Sequence, residues 1–350
     1  MKTILVTGGT GYIGSHTCIS LIQNGFRVII FDSLVNSSIE CVNKIKLISR
    51  EKDSLIYPEI EFICGDIRDI NNIENIFKKA NESNNPIEAV IHFAGLKSVF
   101  ESIRNPIRYW ENNVLGSINL VKVMEKYNCN DLIFSSSATI YGKENPNILV
   151  EESNVNPTNP YGQTKLTIEN MLRDLTLKKD SKWRVVCLRY FNPIGAHESG
   201  ILGESAKSFT QNIFPLINKV AIGIIDKIEI FGNDYPTLDG TGIRDYIHVV
   251  DLAEGHIAAL DYINQFKKKF IVVNLGTGEG TSVLELIKVF ENVNNCKVNY
   301  VFSDRREGDI ASVIANNSLA LKLFKWNPKR DIFDMCKDGW NFQNKNPKGF

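Results

Sequence analysis

Short apolar runs alternate with longer amphipathic stretches through the first half of the chain: Ile4-Leu5-Val6, Val28-Ile29-Ile30-Phe31, Ile60-Glu61-Phe62-Ile63, Ala89-Val90-Ile91-His92-Phe93, Leu132-Ile133-Phe134 and Val185-Val186-Cys187-Leu188. Such runs predict strands buried on both faces, and the amphipathic stretches between them predict covering helices. From Gly14 onward Cys18, Ile19, Leu21 and Ile22 form a buried stripe, so the first two runs and this helix make a βαβ unit. The expected fold class is α/β, a doubly wound parallel sheet. After Phe191 the alternation loosens into Gly- and Pro-bearing stretches from Gly195 to Gly242, and Phe270-Ile271-Val272-Val273-Asn274 reads as one more sheet strand arriving late. The expected organisation is a nucleotide-binding domain over 1–192, with a returning segment near 245–275, and a smaller interleaved C-terminal substrate domain over 193–244 and 276–350.

At 350 residues and 43% apolar composition, the chain can bury a substantial core. Lysine plus arginine number 40, as do aspartate plus glutamate, so net charge gives no reason to expect a nucleic-acid or membrane partner. The seven cysteines are odd in number, widely spaced and free of any Cys-x-x-Cys pair, which fits reduced thiols in a cytosol. Five scattered histidines offer no metal-ligand spacing, and no metal is expected. Met1-Lys2-Thr3-Ile4-Leu5-Val6 enters a strand at once, leaving no room for a cleavable signal, and no apolar run approaches membrane-spanning length. A soluble cytoplasmic protein is expected.

Thr7-Gly8-Gly9-Thr10-Gly11-Tyr12-Ile13-Gly14 follows the first strand and opens the first helix. Glycines at 8, 11 and 14 permit a tight turn and let backbone amides approach a pyrophosphate at the positive helix end, which makes the expected sheet Rossmann-type. Asp32 ends the second strand, where a carboxylate accepts from the ribose 2′-hydroxyl and repels a 2′-phosphate, favouring NAD over NADP. Gly65-Asp66-Ile67 follows the third strand and either lines the adenine pocket or, through Asp66, caps the next helix. Phe93-Ala94-Gly95-Leu96-Lys97 follows the fourth strand at the carboxyl edge, where ligands of such sheets bind. His92 reads as a buried strand residue. Tyr12, Ile13, Asn36 and Ser37 complete the cofactor-binding set expected around this loop.

Tyr161 and Lys165 stand four residues apart in Pro160-Tyr161-Gly162-Gln163-Thr164-Lys165, with Ser137 upstream in Phe134-Ser135-Ser136-Ser137-Ala138-Thr139. Residues at i and i+4 share one helix face, so the ammonium is expected near the phenol, favouring a phenolate that accepts a proton from a substrate hydroxyl. Work near neutral pH demands a drop from the reference value of about 10 to about 7.

With these residues, Arg189-Tyr190-Phe191-Asn192-Pro193, Phe231-Gly232-Asn233-Asp234-Tyr235-Pro236, Arg244-Asp245-Tyr246-Ile247-His248 and Arg306-Glu307-Gly308-Asp309, the whole chain resembles the UDP-glucose 4-epimerases of the extended short-chain dehydrogenase/reductase family. The resemblance implies that Tyr161 removes the proton of the hexose 4-hydroxyl while the C4 hydride passes to bound NAD. Ser137 would hydrogen-bond the same oxygen, and Lys165 the nicotinamide ribose. The 4-keto sugar would turn over and take the hydride back on its other face. Lys97 and Asn112 match further cofactor contacts, and Phe191 a residue near the nicotinamide. Asn192, Asn212, Phe231, Arg244, Arg306 and Asp309 match sugar-nucleotide contacts; arginines suit a diphosphate, and an aromatic suits uracil. A homodimer is implied by the family.

The chain departs from the family at Gln211-Asn212, where paired asparagines are usual, and at Ile310-Ala311, where proline is common. Val313 falls at a gate where tyrosine restricts the pocket to UDP-glucose and UDP-galactose, so its smaller side chain implies room for N-acetylated hexoses. A 4,6-dehydratase would need an Asp-Glu pair where Ala138 and Thr139 stand. An NAD-dependent sugar-nucleotide dehydrogenase and a non-catalytic dinucleotide sensor compete with the epimerase reading, since both can share the fold.

Overall fold

Seven strands form one parallel sheet: β1 (Thr3–Thr7), β2 (Arg27–Asp32), β3 (Ile60–Cys64), β4 (Ile87–His92), β5 (Asp131–Ser137), β6 (Arg184–Tyr190) and β7 (Phe270–Leu275). Their order across the sheet is β7-β6-β5-β4-β1-β2-β3. The computed structural model describes residues 1–50, 60–205, 212–265, 269–306 and 309–350; Gln211 and the Glu307-Gly308 portion of the last motif lie outside the described residues. Each apolar run of the sequence supplies one strand, and the late run Phe270–Leu275 pairs in parallel with β6.

Alternate residues of each strand enter opposite cores. Ile4 and Val6 face a cluster that includes Cys18, Leu21 and Ile22 of helix α1 (Tyr12–Gln23) and Val42 and Ile45 of α2 (Glu40–Arg50). Leu5 faces the other cluster, with Ile73 and Phe77 of α3 (Ile70–Glu82), Leu120 and Met124 of α4 (Gly116–Lys126) and Ile168 of α5 (Pro160–Leu177). Two-sided burial explains why these strands lack polar alternation. The chain order reverses between β1 and β4, opening a crevice at their carboxyl ends.

Smaller sheets carry the remainder. Asn192–Ile194 pairs with Tyr246–His248, Ile228–Phe231 with Tyr300–Ser303, and Ile243–Arg244 lies between Thr281–Ser282 and Ser312–Ala315. A separate core there includes Phe214 and Ile217 of α6 (Ile213–Ala221), Phe290 of α8 (Val283–Asn294) and Met335 of α9 (Ile332–Lys345). Helix α7 (Val249–Gln265) returns to pack on α1, just before β7 joins the main sheet. Buried Asp245 ties these returns together: its carboxylate accepts from Thr277 N at 2.8 Å, Gly278 N at 2.9 Å and Ala315 N at 3.1 Å.

Candidate active site

The glycine loop makes the floor of a cavity at the crevice. Gly8 has φ +71°, and a Cβ there would lie 2.6 Å from Ala94 N; a Cβ on Gly14 would lie 2.4 Å from Gly8 O. Only glycine lets β1, the loop and the segment after β4 approach so closely. Gly11 is the N-cap of α1 and brings no side chain to the first-turn amides, so the positive end of the helix faces the cavity.

Gly8, Gly11, Tyr12, Ile13, Gly14, Asp32, Asn36, Ser37, Asp66, Ile67, Phe93, Ala94, Gly95, Lys97, Asn112, Tyr161 and Lys165 line this single cavity. Asp32 is buried, with its carboxylate fixed by Thr10 N at 3.1 Å, Leu34 N at 2.9 Å and Ser37 Oγ at 3.2 Å. Asp66 does not cap α3, since Asp69 takes that position and accepts from Asn71 N. Asp66 instead pairs with Arg68 at 2.6 Å, and that hydrogen-bonded guanidinium holds its carboxyl below the usual range. His92 is a buried strand residue, bonded to Thr7 Oγ1 at 2.7 Å and Ser117 Oγ at 2.8 Å.

Asn159 caps α5 by accepting from Gly162 N, and Pro160 begins the helix, which sets Tyr161 in its first turn and Lys165 one turn on. Lys165 differs from the expectation. Its Nζ donates to the Ser135 carbonyl at 2.6 Å and lies 5.9 Å from the centre of the Tyr161 ring. Burial pulls the ammonium down to about 8, against the charge of Glu169. The Tyr161 phenol is held above its ordinary value by burial; a hydrogen bond with Ser137 and the charge of Lys97 act in the lowering direction. The cation that bears on the phenol in this arrangement is thus Lys97, which Glu204 holds at 2.9 Å.

Ser137 ends β5 and accepts from Thr139 N at 3.2 Å and Thr139 Oγ1 at 2.9 Å. With its lone pairs so used, the hydroxyl proton remains for donation. Glu204 and Ser205 also line the cavity. Sequence reasoning missed both, because a carboxylate in a loop carries no motif until its partner Lys97 is known.

The remaining expected residues lie away from the cavity floor. Phe191 is buried in a cluster with Ile140, Tyr141, Leu149 and Ala315, against which Val313 and Ala138 pack. Val313 pairs in register with Arg244, whose Nη1 donates to Ile310 O at 3.0 Å and whose Nη2 is 4.0 Å from Asp309. The Arg306 guanidinium stacks 3.8 Å over the Phe231 ring centre. Asn192 is exposed, and Asn212 is the N-cap residue just before α6.

The NAD dependent epimerase/dehydratase family matches residues 4–276, most of the chain. The chain belongs to this family. It is 46% identical over 347 residues to a UDP-glucose 4-epimerase of Bacillus subtilis, covering 99% of this chain and 98% of that protein. It is also 46% identical over 354 residues to a bifunctional UDP-glucose and UDP-xylose 4-epimerase of Arabidopsis thaliana, covering 100% of this chain and 97% of the relative. The UDP-glucose 4-epimerase of Bifidobacterium longum, solved with NAD+ and UDP, superposes with a TM-score of 0.92 at 44% identity over the full length of both chains. The glycine cradle, the first-turn amides of α1 and the Asp32 carboxylate are the donor and acceptor set that the family's dinucleotide requires.

Proposed function

We propose that this protein is a UDP-glucose 4-epimerase that interconverts UDP-glucose and UDP-galactose with NAD as its resident cofactor. The observation that carries this reading is the gathering of Ser137, Tyr161 and Lys165 at the carboxyl edge of the sheet, beside a glycine cradle for the dinucleotide. Full-length similarity to epimerases favours it over the dehydrogenase and sensor readings. NAD, when bound, supplies the acceptor and later the donor of the C4 hydride. Tyr161 takes the proton from the 4-hydroxyl and returns it, while Ser137 donates to the same oxygen. Lys165 fixes the helix to the strand behind the site and presents its charge there. Gly8, Gly11, Gly14, Asp32, Lys97 and Asn112 bind the cofactor; Asn192, Asn212, Phe231, Arg244, Arg306 and Asp309 bind the sugar nucleotide, with Val313 at the hexose. On this reading 1–192 with the return near 245–275 is the cofactor domain, and 193–244 with 276–350 is the sugar-nucleotide domain.

The natural context of this reaction is galactose metabolism in the cytoplasm. Seven free cysteines support a reducing compartment, and no helix among the described residues is long and apolar enough to cross a membrane. A homodimer is supported by Phe100, Ile103, Ile107 and Trp110, large apolar side chains exposed on the helical segment that runs into α4. The deciding experiment supplies UDP-galactose to the purified protein without added NAD. Formation of UDP-glucose, with no net NADH, establishes both reaction and retained cofactor; no conversion until NAD is added, followed by steady NADH accumulation, overturns the reading in favour of a dehydrogenase.

A further inference from the structure

Behind Ser137, Tyr161 and Lys165 lies a layer of buried polar groups that does not touch the cavity. Glu169 follows Lys165 by one turn of α5 and is only 3% exposed. Its Oε1 accepts from Ser136 Oγ at 2.5 Å and Arg189 Nε at 3.1 Å, and its Oε2 accepts from Arg189 Nη2 at 2.8 Å. Ser136 stands between Ser135, whose carbonyl holds Lys165, and Ser137. Arg189, on β6, donates further to the Tyr141 hydroxyl at 3.0 Å and the Glu151 carbonyl at 2.9 Å.

A buried ion pair is weak evidence for stability, because a well-packed apolar pair of similar volume is often as good. Here the carboxylate has a second cation in reach. Lys165 is itself buried, and its bonded partner is a neutral carbonyl. The groups around it come from several elements: Tyr161 and Glu169 on its own helix, Cys187, Arg189 and Tyr190 on β6, His92 on β4, and Lys97 beyond the phenol. Burial keeps the Cys187 thiol and the Tyr190 phenol protonated, and keeps His92 neutral by pulling it to about 3. The carboxylate of Glu169, one helical turn on, pushes Lys165 back toward its charged form.

We propose that Glu169 is a positioning residue: its carboxylate is the buried counter-charge of the Lys165 ammonium and, through Ser136, the brace that holds Ser137 against helix α5. This rests on the reading that Tyr161 and Lys165 carry the chemistry. Because Arg189 already neutralises part of the carboxylate, the field left for Lys165 is a balance between the two, and the two substitutions have opposite signs. Removing the anion lowers the lysine's proton affinity; removing the arginine raises it.

The test is the pH dependence of kcat/KM for UDP-galactose in the holoenzyme. In Glu169→Gln the alkaline limb moves to lower pH by about one unit, with activity recovering toward wild type on the acid side. In Arg189→Met it moves to higher pH. The double variant Glu169→Gln with Arg189→Met leaves neither member of that ion pair behind as an unpaired charge, keeps a smaller acid-ward displacement, and serves if either single variant fails to fold. A loss that is uniform at every pH, or a displacement of the same sign in both single variants, overturns the proposal. A fully active Lys165→Met overturns instead the site reading beneath it.

Discussion

The ammonium of Lys165 bonds to the carbonyl of Ser135, two residues before Ser137, at 2.6 Å. That bond joins the helix bearing the phenol to the strand bearing the hydroxyl, so the lysine fixes the distance between the other two members of the site. The charge itself stands 5.9 Å from the centre of the phenol ring.

Tyr161→Phe removes the proton acceptor and leaves the cavity wall in place. The variant is expected to fold and to bind NAD as wild type does, yet to epimerise more slowly by ~10²-fold or more. Cofactor titration beside a turnover assay checks this, and near-normal turnover removes the tyrosine from the mechanism.

Asp32 presents a carboxylate held by three local donors at the cavity edge. NAD is expected to bind cofactor-free protein more tightly than NADP, and Asp32→Asn to narrow that gap by ~10-fold by removing the repulsion of a 2′-phosphate. Calorimetric titration of both dinucleotides measures it; equal affinities in wild type would defeat the assignment.

Gly14→Ala places a Cβ 2.4 Å from Gly8 O and 2.9 Å from Gly9 Cα, inside the loop itself. Loss of NAD binding is the expected result. Gly25 also has positive φ, +79°, but a Cβ there meets nothing within 4 Å. Gly25→Ala should therefore cost only ~1–2 kcal/mol of stability and leave NAD affinity unchanged. Equal behaviour of the two variants in a binding titration would show that the loop's closeness is irrelevant to the cofactor.

Three of the four buried histidines are expected to make the protein acid-sensitive. Burial pulls His16 and His92 to about 3 and His256 to about 4. The unfolded chain then binds more protons below about pH 6.5, so stability is full above that value and falls as pH drops toward those folded-state values. Each histidine contributes a slope of about 1.4 kcal/mol per pH unit in that window, before any offset from carboxylates. Urea unfolding between pH 7 and pH 5 should show this loss, and His92→Gln should reduce the slope by one histidine's share. A flat stability between those values would contradict the burial argument.

Val313 packs against the cluster containing Phe191, as does Ala138, next in sequence to Ser137. Wild type is expected to epimerise UDP-N-acetylglucosamine as well as UDP-glucose, and Val313→Tyr to lose the acetylated substrate while keeping the plain one. Crowding of an acetamido group by a phenol costs roughly 1–3 kcal/mol, or about 5- to 150-fold in kcat/KM. Failure of wild type to use the acetylated sugar, or its unchanged use by Val313→Tyr, ends the assignment.

The sheet was legible because its strands are buried on both faces, and a short unbroken run such as Val28 to Phe31 suits a strand covered by helices on each side. The glycine loop was legible because tight approach at Gly8 and Gly14 restricts the residue type. Side-chain pairing was less so. Helical spacing put Lys165 beside Tyr161 but could not say that the ammonium would bond across to β5. Asp66 stood where a cap was possible, but it pairs with Arg68, and Asp69, which the sequence reading passed over, caps the helix. Arg306 over Phe231 joins residues far apart in sequence, a contact that only the pairing of Ile228–Phe231 with Tyr300–Ser303 brings about.

The late arrival of β7 bears on how the chain is made. When residue 192 leaves the ribosome, β6 has β5 on one side and an open row of backbone donors and acceptors on the other. That edge closes only after the intervening segment has been synthesised and Phe270–Leu275 has returned to it. Waiting for a distant strand slows folding and leaves a template for misassociation. A truncation anywhere before residue 275 should therefore yield an aggregating fragment in place of a smaller nucleotide-binding protein, and the two halves of the molecule enter their native state together.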